Sequence, residues 1–263
     1  MISLADKSPA EARRIIREGG WPKSTSGVAN GYTQANLVIL PEDLAFEFLL
    51  FCHRNPKPCP VLDVTEPGSA VPPIVAPDAD LRVDLPKYRV YRRGILEEER
   101  TNISELWNDK MVGFLIGCSF TFEQALLRNE IPVRQIEEQC NVPMYKTNRS
   151  CVKGGRFEGP LVVSMRPIPE KDVVRAAQVT SRFPSVHGAP VHIGDPKSIG
   201  IDDLNEPDFG DKVTVKEGEV PVFWACGVTP QAVAMHVKPE LMITHSPGHM
   251  FITDMRDEQF SVL

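Results

Sequence analysis

Residues 112–127 read VGFLIGCSFTFEQALL, and residues 220–235 read VPVFWACGVTPQAVAM. Each stretch opens with a nearly continuous apolar run, the pattern of a strand buried on both faces. Each then passes a cysteine and a small residue into a helical pattern that begins at a threonine. Without gaps, Val112 matches Val220, Cys118 matches Cys226 and Thr121 matches Thr229. Three identities fit an old duplication or convergence on a good strand-to-helix turn. Either way, two tight turns are expected at the same edge of one sheet.

The rest of the chain extends this alternation. Ser8-Pro9-Ala10-Glu11 has the residues of a capping box and a proline suited to the first helical position. Gly19-Gly20 closes that helix. Leu37–Leu40 is a short apolar strand, and Pro41 opens a helix with Leu44, Phe48 and Phe51 on one face. Further strands are expected at 61–64, 88–93, 161–165, 241–244 and 250–253, and a helix over 169–182. Residues 66–80 and 183–211 read as loops, the second long enough to suggest function. Strands alternating with helices predict an α/β protein, a mixed sheet core with flanking helices plus a smaller α+β lobe. The core is expected from 1–130 with 214–263, and the inserted lobe from 131–213. The site is then expected in the cleft between them.

Composition narrows the function classes. The chain has 263 residues, 42% of them hydrophobic, and 29 basic against 35 acidic residues leave a net charge of −6. Nucleic-acid binders carry a basic footprint, and none is visible. The run from Tyr88 to Arg93 interleaves aromatics with arginines, but Glu97, Glu98 and Glu99 follow and offset it. No stretch approaches the roughly 20 apolar residues of a membrane span. The opening segment MISLADKSPAEARR lacks an apolar region and carries acids, so a cytoplasmic location is expected. The six cysteines show no CxxC spacing, which removes the usual signature of structural zinc. No P-loop or GxGxxG occurs, so no nucleotide cofactor is expected.

Four groups of residues could carry chemistry. Ser119 and Thr121, and Gly227 and Thr229, stand at the two helix starts, where free N–H groups attract carboxylates. Both threonines are expected to cap their helices. Cys118 and Cys226 precede the same helices, a position that can activate a thiol. Histidines form two loop clusters, His187 with His192 and His245 with His249, beside Asp195 and Asp254. Histidine is the usual general base near neutral pH and a common metal ligand. The two loops are expected to share one site over the turns. Tyr145, Lys146, Asn148 and Arg149 suit recognition of a small carboxylate, with arginine the natural bidentate partner. A solvated polar loop is the plain alternative for that segment.

These segments resemble the D-glutamate cyclase family, whose bacterial members go by the name hydro-lyase. The resemblance runs from Gly31-Tyr32-Thr33-Gln34-Ala35-Asn36-Leu37 through the turn at 113–123 and Met144–Asn148. It continues in His187-Gly188-Ala189-Pro190-Val191-His192-Ile193-Gly194, Cys226–Gln231 and Thr244–Met250. It implies an α/β protein with a smaller α+β lobe that converts D-glutamate to 5-oxo-D-proline with loss of water. A divalent cation, manganese or magnesium, is compatible with that chemistry, with His192, His249, Asp195 and Asp254 as candidate ligands. Two other readings stand beside it. One is a hydratase or dehydratase of another small acid, and the other is a carboxylate-binding protein without catalysis. A homo-oligomer is compatible with each.

Overall fold

A computed structural model describes residues 3–262, apart from the side chains of residues 231, 234 and 235. Helix α1 (Pro9–Arg17) starts as the capping box dictates, with the Ser8 side chain accepting from the Glu11 N–H. Strand β1 (Tyr32–Pro41) leads into helix α2 (Glu42–Arg54). Strands β2 (Val61–Val64), β3 (Tyr88–Arg92), β4 (Ile95–Arg100) and β5 (Met111–Gly117) follow, then helices α3 (Phe120–Arg128) and α4 (Arg134–Glu137). Strands β6 (Met144–Ser150) and β7 (Pro160–Pro169), helix α5 (Val173–Ser181), and strands β8 (His192–Ile193) and β9 (Glu219–Ala225) come next. Helix α6 (Thr229–Val237) and strands β10 (Met242–His245) and β11 (Phe251–Arg256) complete the chain.

The strands form two sheets. Seven lie in the order β2-β5-β1-β10-β3-β4, with β11 also paired to β1, and four in the order β6-β7-β9-β8. The content is mixed α/β, and every strand pair of both sheets is antiparallel. The two apolar strands that anchored the sequence reading therefore part company. β5 pairs with β1 and β2, whereas β9 pairs with β7 and β8. The expectation of one shared sheet fails because local apolarity says that a strand is buried, not which partner buries it. The first sheet draws its strands from 32–117 and 242–256, and the second from 144–225.

Strand β1 shows why its whole length is apolar. Ala35, Leu37 and Ile39 face one core cluster with Leu115, Val90 and Phe251. Val38 and Leu40 face the other, with Phe48 and Phe51 of α2. The sequence suggested an exposed strand over 88–93, but Tyr88, Val90 and Tyr91 of β3 are buried in the core, and only β4 is largely exposed, with Arg89 on Glu99, Arg92 on Glu97 and Arg100 on Glu98. Among the described residues, no helix is long and apolar enough to cross a membrane.

Helix α3 decides where the site forms. It follows a first-sheet strand, yet Phe122 and Leu126 pack with Ile168, Ala176, Val222 and Trp224 of the second sheet and α5. The turn between β5 and α3 is thus a bridge from one sheet to the other.

Candidate active site

The two turns meet although their strands lie in different sheets. The Asn36 side-chain amide on β1 donates to the carbonyls of Ile116 and Gly117, at 3.3 and 2.8 Å. Gly227 lies so close to the same carboxamide that an added Cβ would overlap it. A Cβ at Gly117 would likewise overlap the Ser185 carbonyl of the loop that carries His187. Both glycines are therefore required by close approach of other groups, not by turn geometry.

A buried ion pair lies under this junction. On β7, Ser164, Arg166 and Ile168 alternate onto the face that α3 covers. Arg166 donates to Glu123 on the first turn of α3 through both Nε and Nη2. Its Nη2 also reaches Ser119 Oγ at 3.0 Å, and Nη1 reaches Ser164 Oγ at 3.1 Å. The guanidinium packs against both the Phe122 and Trp224 rings, 5.3 and 5.5 Å from their centroids. Gln135 donates to the same Glu123 oxygen at 2.7 Å. Arg166 and Glu123 are both buried. Burial raises the Glu123 carboxyl above its usual range, against the opposing pull of Arg166.

Glu123 is also the group that connects this pair to open space. It lines a cavity of about 200 Å³ with Gln34, Phe120, Gln124 and Asp257. Asp257 accepts from Thr33 Oγ1 at 3.0 Å, and burial pushes its carboxyl up to about 6.

The expected residues divide. Ser119 is at the junction, but it serves Arg166 and makes no capping hydrogen bond to α3. Thr121 does not cap either. It lies inside α3, and its buried Oγ1 has no partner. Thr229 does close its turn, donating to the Cys226 carbonyl at 2.7 Å. Cys118 and Cys226 flank the junction, but burial raises both thiols, that of Cys226 to about 11. Neither forms a thiolate near neutral pH, so an activated nucleophile does not follow from their helix-start position.

The histidines each have their own partners. His187 comes to the junction, held in the left-handed region at φ 84° with Nδ1 2.9 Å from the Lys57 carbonyl. A non-glycine residue there carries strain of about 1 kcal/mol. Its buried Nε2 has no partner, and burial lowers its pKa to about 4. His192 lies on β8, against the Phe223 ring and 3.0 Å from Ser198 Oγ. His245 accepts from the Leu37 N–H at 3.2 Å, and burial lowers it to about 4. His249 is tied to the Pro247 carbonyl at 3.0 Å and is also lowered by burial. The two loops thus engage different neighbours, which removes the geometric support for a shared histidine site.

The proposed ligand set does not fit a cation. Asp254 is held by Arg13 at 2.8 Å, and the Asp195 side chain accepts from the Lys197 N–H. Among the described residues, no three His, Cys, Asp or Glu side chains are placed to hold a metal ion.

The polar segment on β6 has surface work. Lys146 pairs with Asp208 at 3.1 Å, and Arg149 donates to the Val191 carbonyl at 3.0 Å. Tyr145 is buried and donates to the Leu204 carbonyl at 2.7 Å, while Asn148 is exposed against Gly200. The cavity beside Tyr145 and Lys146 is ringed by Asp202, Asp203, Glu206 and Asp208.

The family motifs named from the sequence thus meet at the junction through Asn36, Cys118–Glu123, His187 and Cys226–Thr229. The model of the D-glutamate cyclase family matches residues 112–254, which hold most of them. This chain belongs to the D-glutamate cyclase family. A Geobacillus kaustophilus protein named "Putative hydro-lyase" is 76% identical over 263 residues, 100% of both chains. Relatives of the same name from Bacillus licheniformis and Bacillus subtilis are 71% and 66% identical, covering 100% and 97% of this chain and 100% of each relative. A nitrogen repressor-like protein from Methanococcus jannaschii covers 93% of this chain and 97% of its own. At 10% identity and a TM-score of 0.37, nothing follows from that likeness.

Sequence reasoning missed Arg166 and Asn36, and also Glu123, Gln34 and Asp257, as site residues. The first two had a signal. Each is a charged or amide residue inside a run that otherwise reads as buried strand, and such residues are seldom fully buried without partners. Asp257 had none, since its burial comes from tertiary packing.

Proposed function

We propose that this member of the D-glutamate cyclase family is a hydro-lyase that closes D-glutamate to 5-oxo-D-proline. The observation that supports this most is Glu123, a buried carboxyl with a raised pKa that lines a cavity and is backed by Arg166. Ring closure moves two protons from nitrogen to oxygen. The α-ammonium must lose a proton before it attacks the γ-carboxyl carbon. A C–N bond forms, a C–O bond breaks, and one carboxylate oxygen leaves as water with the two protons that nitrogen gives up. A buried carboxyl whose pKa is raised above its ordinary range can take up a proton and return it, serving both directions of that transfer. Glu123 is assigned as this relay. Arg166 touches Glu123 and is a positioning residue that fixes its orientation. The cavity bends the substrate so that amine and carboxyl meet, which supplies much of the rate.

Purified protein is incubated with D-glutamate and with L-glutamate, each with and without manganese, and products are read by mass and chirality. 5-Oxo-D-proline from D-glutamate alone is the expected result. No product from folded protein under either condition would overturn the reading. A product lighter by one water but unringed, from another small acid, would mark the enzyme as a dehydratase.

A further inference from the structure

The cavity beside Glu123 has a one-sided charge. Its lining carries two carboxyl groups, Glu123 and Asp257, beside the carboxamides of Asn30, Gln34 and Gln124 and the hydroxyls of Ser26 and Tyr32. Among the described residues, no Lys, Arg or His side chain lines it. The neighbouring guanidinium groups are engaged, Arg166 on Glu123, Arg256 over the Tyr32 ring and Arg128 on Glu258. Two carboxyl groups on this wall favour a cation beside them.

Gln34 gives an independent indication. It is only 4% exposed, and its Nε2 donates to the carbonyls of Thr25 and Val28 at 2.7 and 3.2 Å. Those contacts fix which end of the amide is nitrogen. They leave Oε1 as an acceptor, and that buried oxygen has no partner. A buried acceptor without a donor costs about 1–3 kcal/mol unless something satisfies it. Gln135, which holds Glu123, has a second unpartnered Oε1, and it lines an adjoining cavity that shares Ser26 and Ile136 with the first.

We propose that this cavity is an ammonium-recognition subsite, in which Gln34 Oε1, Asp257 and Glu123 accept the N–H donors of a primary amine. An –NH3⁺ group offers three donors and no acceptor, which suits the acceptors of Gln34, Asp257 and Glu123. Resting on the reading above, the subsite selects an amino acid over the corresponding hydroxy acid or plain diacid. It also sets the substrate nitrogen against Glu123, the group assigned to take its proton.

The test separates this proposal from the reaction it serves. The full chain is titrated with ethylammonium chloride, sodium acetate or potassium chloride at constant ionic strength, and the Gln34 and Gln135 side-chain amide resonances are followed by NMR. Ethylammonium alone is expected to shift them, with affinity at least fivefold weaker in Asp257→Asn and in Gln34→Leu. Shifts with acetate, equal shifts with potassium, or no shift with any salt would overturn the subsite. In the turnover assay, Asp257→Asn is expected to raise KM for D-glutamate about tenfold while kcat changes less. Turnover with no ethylammonium response defeats the subsite alone, and an ethylammonium response without turnover defeats the cyclase reading alone.

Discussion

Two short stretches of this chain carry polar residues, and the fold treats them in opposite ways. Cys118–Glu123 is carried from one sheet to the other, and its Glu123 is buried against Arg166, which packs on two aromatic rings. Tyr145–Arg149 lies on the outermost strand of the second sheet, and its charges meet Asp208 and a backbone carbonyl at the surface. The difference teaches that residue type proposes a site, but desolvation decides it. A charge in water is screened and interchangeable. A charge out of water must be paired, and its pKa becomes adjustable.

The largest effect is expected at the buried pair. Glu123→Gln should lower kcat by 10²–10⁴-fold, the usual scale for a proton-transfer group. It should also destabilise the fold by about 3–5 kcal/mol, because Arg166 is left as a buried cation without its partner. These two losses can be separated. In the double variant Glu123→Gln with Arg166→Met, an apolar chain packs against Phe122 and Trp224. Stability by urea unfolding should then return to within about 2 kcal/mol of the parent, while turnover stays lost. A double variant that regained turnover would show that the pair is structural and would erase the contrast between the two stretches.

A smaller effect, of opposite sign, is expected at Asp257. Its folded pKa is about 6 against an ordinary 3.8, with burial as the main cause. The folded chain therefore keeps the proton at pH values where the unfolded chain has lost it. Stability falls as pH rises from about 4 to about 6, and above that the cost is constant at roughly 3 kcal/mol. Asp257→Asn preserves an acceptor for Thr33 and removes the charge. Urea unfolding should find it more stable than the parent by up to about 3 kcal/mol at pH 7.5 and no more stable near pH 4. A stability gain together with a raised KM is the signature of a group kept for function at the expense of the fold.

Much of this frame was legible in the sequence. The Ser8–Glu11 capping box, the apolar runs of β1, β5 and β9, and the proline that starts α2 all report local geometry, and each element is where those residues place it. Partnership was not legible. β5 and β9 share a local pattern, but their sheets are set by pairing with β1 and with β7, residues far away in sequence. The junction was half legible. Both turns were singled out, and they do meet, whereas the ion pair beneath them depends on α3 packing across onto the second sheet. The histidine loops misled because titratable residues beside glycine and proline look alike whether they face a ligand or a backbone carbonyl.

The smallest effect is expected on β6, and it tests the comparison from the other side. Lys146 and Arg149 have the residue types of a carboxylate grip, but Lys146 is already paired with Asp208 and Arg149 already donates to Val191. Both are exposed, so the Lys146 pair exchanges hydration for a partner at little net gain. Replacing either by alanine leaves its partner free to return to water. Each of Lys146→Ala and Arg149→Ala should therefore shift stability by no more than about 0.5 kcal/mol. Neither should change kcat/KM for D-glutamate by more than about threefold. If Arg149→Ala instead raised KM tenfold with the fold intact, the substrate carboxylate would be held at this strand, and the functional site would have to extend from the buried junction to the sheet edge. Should both variants behave like the parent, the binding surface is confined to the junction and its cavity, where every polar group that matters is out of water.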